Sequence, residues 1–199
     1  MTFEGFRLLY VLACVGLGLV ILSPTLAFVV TAPSEVRFSE MWILGSGRLI
    51  GKYPFNVTMN EVYKVYLGVG NRMGEFEYYR VYVKLRNQTE PLPDALNGTP
   101  SVLESVFEYN VFLSSKTVWE KEISFYFEEI AFDGNNCRIS KLVMDDCALK
   151  VDKVGGWDEE SQGFHFELFF ELWLYDAAVS RFQYHSRFVG FLMNVTRNQ

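Results

Sequence analysis

From Leu8 to Val30 the chain carries no charge, and this stretch limits what the whole sequence is able to fold into. At about 1.5 Å rise per residue a helix of that length extends about 34 Å, enough to cross a hydrocarbon core about 30 Å thick with slight tilt. Pro24 would kink such a helix without preventing it. Residues 8–22 also suit the apolar region of a secretory signal, with Thr25-Leu26-Ala27 as a loose cleavage site. Against cleavage, the apolar run continues through Phe28-Val29-Val30, and Arg7 and the amino terminus are offset by Glu4. Either reading exports the remainder. The expected division is a cytoplasmic segment at residues 1–7, a transmembrane helix at 8–30, a linker at 31–35 and one extracytoplasmic domain at 36–199.

Flanking charge does not set the orientation, because Arg7 on one side faces Arg37, Arg48 and Lys52 on the other. Asparagine sequons do. Asn56-Val57-Thr58, Asn87-Gln88-Thr89, Asn97-Gly98-Thr99 and Asn194-Val195-Thr196 all lie beyond the uncharged stretch, as expected of a surface that meets glycosylating machinery. The alternative is that these triplets are unmodified strand ends and turns. The expected location is the cell membrane, crossed once, with the lipid bilayer as one partner.

The domain has a large apolar content to bury. Aromatic residues make up 17% of the chain, with 18 Phe and 11 Tyr, most of them beyond the uncharged stretch. A core of that size needs no extra staples. The net charge of −6 and the absence of a basic run interleaved with aromatics exclude a nucleic-acid surface. Of three cysteines, Cys14 falls in the uncharged stretch and reads as a small apolar residue. Cys137 and Cys147 flank a short segment in an oxidising compartment, and are expected to form a disulfide worth roughly 2 to 3 kcal/mol.

Period-two alternation dominates the rest. Tyr63, Val65, Leu67 and Val69 share one face, and after a turn at residues 70–74 Tyr79, Val81, Val83 and Leu85 share another, which predicts a hairpin. The opposite face of the second strand carries Tyr78, Arg80, Tyr82 and Lys84 and reads as solvated. Residues 87–101 hold three prolines and form a loop. Strands are expected at 35–44, 106–113 and 117–127, with Lys121 interrupting the last apolar face. Residues 137–156 read as short strands or a decorated loop. The most apolar strand, 164–175, places Phe164, Phe166, Leu168, Phe170, Leu172 and Leu174 on one face and His165, Glu167, Phe169, Glu171 and Trp173 on the other. A strand at 187–195 ends the chain. About eight short strands without an amphipathic helix predict an all-β fold, an immunoglobulin-like antiparallel β-sandwich preceded by one N-terminal transmembrane helix.

Chemistry has little to stand on in this pattern. His165 and Glu167 share a strand face and His185 follows in the next loop, but a metal site needs about three converging ligands. Asp133, Asp145, Asp146 and Asp152 do not have calcium-loop spacing. Nucleophile elbows and phosphate-cradling glycine loops are absent, and the adjacent carboxylates Glu128-Glu129 and Glu159-Glu160 point to opposite faces of a strand. No catalytic, cofactor-binding or metal residue is assigned, and no cofactor is expected.

Phe38-Ser39-Glu40-Met41-Trp42-Ile43-Leu44-Gly45, then Tyr53-Pro54-Phe55-Asn56-Val57-Thr58, Tyr66-Leu67-Gly68-Val69 and Tyr79-Arg80-Val81-Tyr82-Val83, followed by Trp119-Glu120, stand in this order along the chain. The chain resembles in these pieces the archaeal membrane proteins grouped as domain of unknown function 1616. The likeness runs to about residue 127 and more loosely across 164–194. It implies transmembrane helices followed by an extracytoplasmic β domain, and no activity. One span stands here where that family has several, and residues 133–156 have no counterpart.

The expected role is a non-enzymatic accessory or interaction subunit of a membrane or cell-surface assembly, with Phe169 and Trp173 as contact residues unless both faces of their strand are buried. The alternative is a type IV pilin-like filament subunit, although residues 4–7 do not resemble a processing site. Other membrane or cell-surface proteins are the expected partners, and self-association is left open.

Overall fold

The computed structural model describes residues 3–30 and 36–197, with side chains for 5–21 and 36–197. The expected linker at 31–35 lies outside the described residues. The chain forms two compact units, residues 1–36 and 37–199. In the first, a single helix α1 runs over Phe3–Val30. Apart from Arg7, its described side chains are apolar and almost all exposed, including Phe6, Leu9, Leu12, Val15, Leu19 and Ile21. Among the described residues, no helix is long and apolar enough to cross a membrane.

The second unit is a sandwich of ten strands: β1 Phe38–Leu44, β2 Asn56–Val57, β3 Tyr63–Arg72, β4 Glu77–Asn87, β5 Phe107–Leu113, β6 Val118–Asp133, β7 Asn136–Met144, β8 Cys147–Gly156, β9 His165–Asp176 and β10 Arg181–Val195. Two five-stranded sheets result, ordered β1-β3-β6-β7-β8 and β2-β10-β9-β4-β5. Every pairing is antiparallel except the two-residue contact of β2 with β10.

The alternation read from sequence sorts the core. Val65, Leu67 and Val69 of β3, Tyr79, Val81, Val83 and Leu85 of β4, and Phe166, Leu168, Phe170 and Leu172 of β9 are all buried between the sheets. Phe125 of one sheet meets Phe191 of the other at 5.8 Å between ring centroids. A polar tie joins them where Ser39 Oγ and Tyr79 Oη lie 2.9 Å apart. Lys121, which breaks the apolar face of β6, reaches Asp145 at 3.2 Å.

Two expectations fail, both through pairing. The β3–β4 hairpin does not form, because β3 pairs with β1 and β6 while β4 pairs with β5 and β9 in the opposite sheet. The intervening turn is a crossover held by the fully buried Asn71, whose Nδ2 donates to the carbonyls of Glu75 and Leu113, both at 2.8 Å, and whose Oδ1 accepts from Met73 N at 2.8 Å. The disulfide is also absent. Residues 137–156 are a full hairpin, β7–β8, in which Cys137 pairs with Gly155 and Cys147 with Met144. That register puts the two cysteines at opposite ends of the ladder, about 20 Å apart at roughly 3.3 Å per residue. Both are free, Cys137 buried and Cys147 exposed. Asp145 and Asp146 close the hairpin with φ of 47° and 64°, the positive values that its two-residue turn demands.

Candidate functional site

The outer face of the β5-β4-β9-β10 sheet is where chemistry collects, and register explains how. Antiparallel pairing sets Tyr78 of β4 opposite Phe112 of β5, and Tyr175 of β9 opposite Phe182 of β10. One step along, Asn110, Arg80, Trp173 and Tyr184 form the next row. Further rows bring Tyr82 beside Glu171, Lys84 beside Phe169 and Arg86 beside Glu167.

The lower rows are roofed by the loop between β4 and β5. Lys84 Nζ lies 2.9 Å from Glu171 Oε2 and donates to the carbonyl of Ser101 at 2.8 Å, while Ser101 N donates to Glu171 Oε1 at 2.8 Å. Trp173 Nε1 donates to the same carboxylate at 3.1 Å. Arg86 pairs with Glu167 at 2.7 Å and also donates to the loop carbonyl of Glu90. Lys84 and Glu171 are buried in consequence. Phe169, expected as a contact residue, is fully buried beneath this cover, so β9 is enclosed on both faces there. Trp173 is half-buried at the margin, edge-on to Tyr82 at 5.3 Å.

Beyond that margin the face is open and aromatic. Tyr78 stacks on Phe112 at 3.9 Å, Phe182 meets Tyr78 at 4.9 Å, and the Arg80 guanidinium lies 4.1 Å above the Phe182 ring. Phe76 and Phe112 are 63% and 61% exposed, which singles them out as unshielded rings. At the sheet end a cavity of about 560 Å³ is lined by Phe76, Tyr78, Phe112, Tyr175 and Tyr184 together with Glu75, Glu77, Asp176, Gln183 and His185. The buried Tyr184 hydroxyl has no hydrogen-bond partner among the described residues, and burial with the nearby Glu171 charge pushes it up to about 12. Burial first, and the Glu75 charge second, hold the Glu77 carboxyl above its ordinary value. Sequence reading placed Tyr78 and Arg80 on a solvated face and missed Phe76, Phe112, Tyr175 and Phe182. These rings come together only because four strand ends meet at one end of the sheet.

The remaining candidates are dispersed or engaged. His165 lies opposite Asn194, whereas His185 sits in the bulge after Tyr184, so the two histidines occupy opposite ends of the β9–β10 ladder. His165 Nδ1 contacts Gln88 and Ser161, and His185 Nε2 contacts Ser39 Oγ at 2.9 Å. Among the described residues no group of three His, Cys, Asp or Glu side chains is placed to hold a metal ion. Asp145 is taken by Tyr109, Lys121 and the Ser124 amide, and Asp152 by Arg138.

The sequon asparagines fall into two kinds. Asn97 and Asn56 are exposed. The Asn87 Nδ2 donates to the carbonyl of Val154 at 2.8 Å, and its Oδ1 caps the loop through Thr89 and Glu90. Asn194 accepts from Phe164 N and lies 3.3 Å from the Asn56 amide oxygen.

No family model matches the chain, and no curated protein matches it. Among solved structures, it is similar to a β-glucosidase from Listeria innocua in complex with isofagomine, at 10% identity and a TM-score of 0.35 over 82% of this chain and 16% of that one. It is also similar to the C-terminal domain of wzt, at 11% identity and a TM-score of 0.36, over 84% of this chain and 81% of that one. The chain thus spans 16% of the length of the β-glucosidase. A likeness at this level carries neither fold nor function across.

Proposed function

We propose that this chain is a membrane-anchored, N-glycosylated extracytoplasmic β-sandwich, immunoglobulin-like in outline, that serves without enzymatic activity as an accessory or interaction subunit of a membrane or cell-surface assembly. The observation that carries the reading is the split outer face of one sheet. Half is sealed by a loop and a buried ion pair, and half presents exposed rings beside it. A solvent-facing aromatic group of this kind, rimmed by Arg80, Asn110 and Glu108, has the makeup of a contact surface. The anchor reading is supported by the uncharged run of the sequence at residues 8–30 and by the side chains of α1 described beyond Arg7, which are apolar and almost all exposed. The resemblance to the archaeal family supports the same topology.

Phe169 is withdrawn as a contact residue, and Trp173 also holds Glu171, so neither tests the reading cleanly. Phe112→Ala does, because its ring is exposed and its loss leaves the core intact. In membranes solubilised with mild detergent, Phe112→Ala is expected to reduce recovery of the partners that co-purify with the wild-type chain, while the melting temperature stays nearly unchanged. Undiminished recovery from Phe112→Ala and Phe76→Ala alike would remove this face from the assembly.

A further inference from the structure

A second cavity, of about 320 Å³, opens between the sheets at the other end of the β9–β10 ladder from the aromatic face. Each sheet supplies a wall. Phe132 near the end of β6 meets Phe164, just ahead of β9, at 5.5 Å between ring centroids, and both rings pack inward against the core. Trp157 stands edge-on to Phe164 at 5.1 Å. The segment that carries Trp157 and Phe164 is tied to both sides, because Trp157 N donates to the carbonyl of Asn135 at 2.7 Å and Val195 N donates to that of Phe164 at 2.8 Å. The three rings therefore border one space.

Donors left unused by the fold collect around these rings. Arg197, which follows β10, holds its guanidinium 5.1 Å from the centre of the Phe132 ring and makes no hydrogen bond or ion pair among the described residues. The Trp157 indole N–H and the Asn135 carboxamide also belong to the lining, and among the described residues neither makes a hydrogen bond. Asn194 is already engaged: its Oδ1 accepts from Phe164 N at 3.1 Å, and its Nδ2 donates to Asn56 Oδ1 at 3.3 Å. Gly163 permits that approach, since a Cβ there would collide with the Asn194 carboxamide. No aspartate or glutamate lines the cavity among the described residues. Asp133 alternates to the opposite side of β6 from Phe132, and Asp158 accepts from Ser161 Oγ and from the Glu160 amide.

An arginine beside apolar walls, with no carboxylate to answer it, is matched by a carboxylate that brings a ring of its own. The guanidinium presents a planar fork to both oxygens, and charge-assisted hydrogen bonds of this kind are roughly twice as strong as neutral ones. The aromatic walls supply apolar contact for the ring, and the volume of about 320 Å³ sits at the small end of the range for small-ligand sites. A hydrocarbon would leave the guanidinium unanswered, and a neutral sugar would use the donors without their charge.

We propose that this cavity binds a carboxylate carried on a six-membered ring, with Arg197 as its counter-charge, Phe132, Trp157 and Phe164 as its walls and Asn135 as a further donor. Such a group belongs either to an acidic sugar or to an aromatic acid. The site stands apart from the aromatic face, and neither depends on the other.

The test uses the full chain in detergent micelles, made in a host that does not glycosylate asparagine, so that Asn194 carries nothing into the cavity. Binding is followed calorimetrically with glucuronate, benzoate and neutral glucose. At least one of the two acids is expected to bind saturably, glucose not to displace it, and Arg197→Gln to weaken its binding about tenfold or more. Because Arg197 has only a ring contact to lose, Arg197→Gln is expected to melt like the wild type. If it melts early, Arg197→Lys supplies the comparison: it keeps the charge, removes the fork, and is expected to bind the acid more weakly than the wild type. Binding of glucuronate alone identifies an acidic sugar as the source, and binding of benzoate alone an aromatic acid; either supports the site. Absence of saturable binding by both acids, affinity unchanged in the arginine variants, or glucose binding as tight as that of glucuronate overturns it.

Discussion

Glu171 and Lys84 are 0% and 4% exposed, and neither charge would be tolerated there alone. Their ion pair, the Ser101 backbone and the Trp173 indole together satisfy the carboxylate and seat the loop over β9. Glu171→Leu is therefore expected to cost about 3–5 kcal/mol, since it strands a buried ammonium, whereas adding Lys84→Met should recover most of that loss. Denaturant titration of the single and double variants checks this, and additive losses would show that the pair is not coupled. The cysteines give a second residue-scale expectation. Burial pushes the Cys137 thiol up to about 12, while Cys147 is exposed. Alkylation of native, unreduced protein should modify Cys147 and spare Cys137 until the chain is unfolded. Failure to label either one in denatured, unreduced protein would restore the disulfide.

Among the elements, the passage from β3 to β4 decides which sheet each strand joins. From a position with no solvent access, Asn71 makes three hydrogen bonds with backbone groups, two within this crossover and one to Leu113 at the end of β5. Asn71→Leu keeps the volume and removes all three. With about 1–3 kcal/mol for each buried group left unsatisfied, a loss of roughly 3 kcal/mol or more is expected. Leu168→Ala, in the middle of the core face of β9, should cost about 2–5 kcal/mol by opening a cavity. An Asn71→Leu protein as stable as the wild type would show that the crossover is held by packing alone.

For the molecule as a whole, the proposed topology makes two demands. The full chain should stay with membranes through alkaline carbonate extraction, because beyond Arg7 the described side chains of α1 offer no polar face to water. Its release into the supernatant would exclude an anchor. Glycan mapping of protein from its native membrane should find Asn97 occupied more fully than Asn87 or Asn194, since Asn97 is exposed and its amide is held only by Asp94 of the same loop, whereas Asn87 and Asn194 are half-buried and tie separate strands together. Four bare asparagines would remove the main support for export.

Side-chain alternation is a property of the strand backbone itself, and for that reason the inward faces of β3, β4, β6 and β9 were legible from residue order. The uncharged run at residues 8–30 likewise marked the helix, which extends over Phe3–Val30. Pairing belongs to the tertiary structure, because it depends on which distant apolar faces close over one another. Tyr63 to Leu85 reads locally as a hairpin, yet its strands find deeper burial in separate sheets. Cys137 and Cys147 are ten positions apart in sequence, but the β7–β8 register holds them at opposite ends of a ladder. Phe169 alternates away from the core and is buried all the same, since a loop from another part of the chain lies across its row. The aromatic face and its cavity exist for the same reason: Phe76, Phe112, Tyr175 and Phe182 come from four strand ends that only antiparallel pairing brings to one edge of the fold.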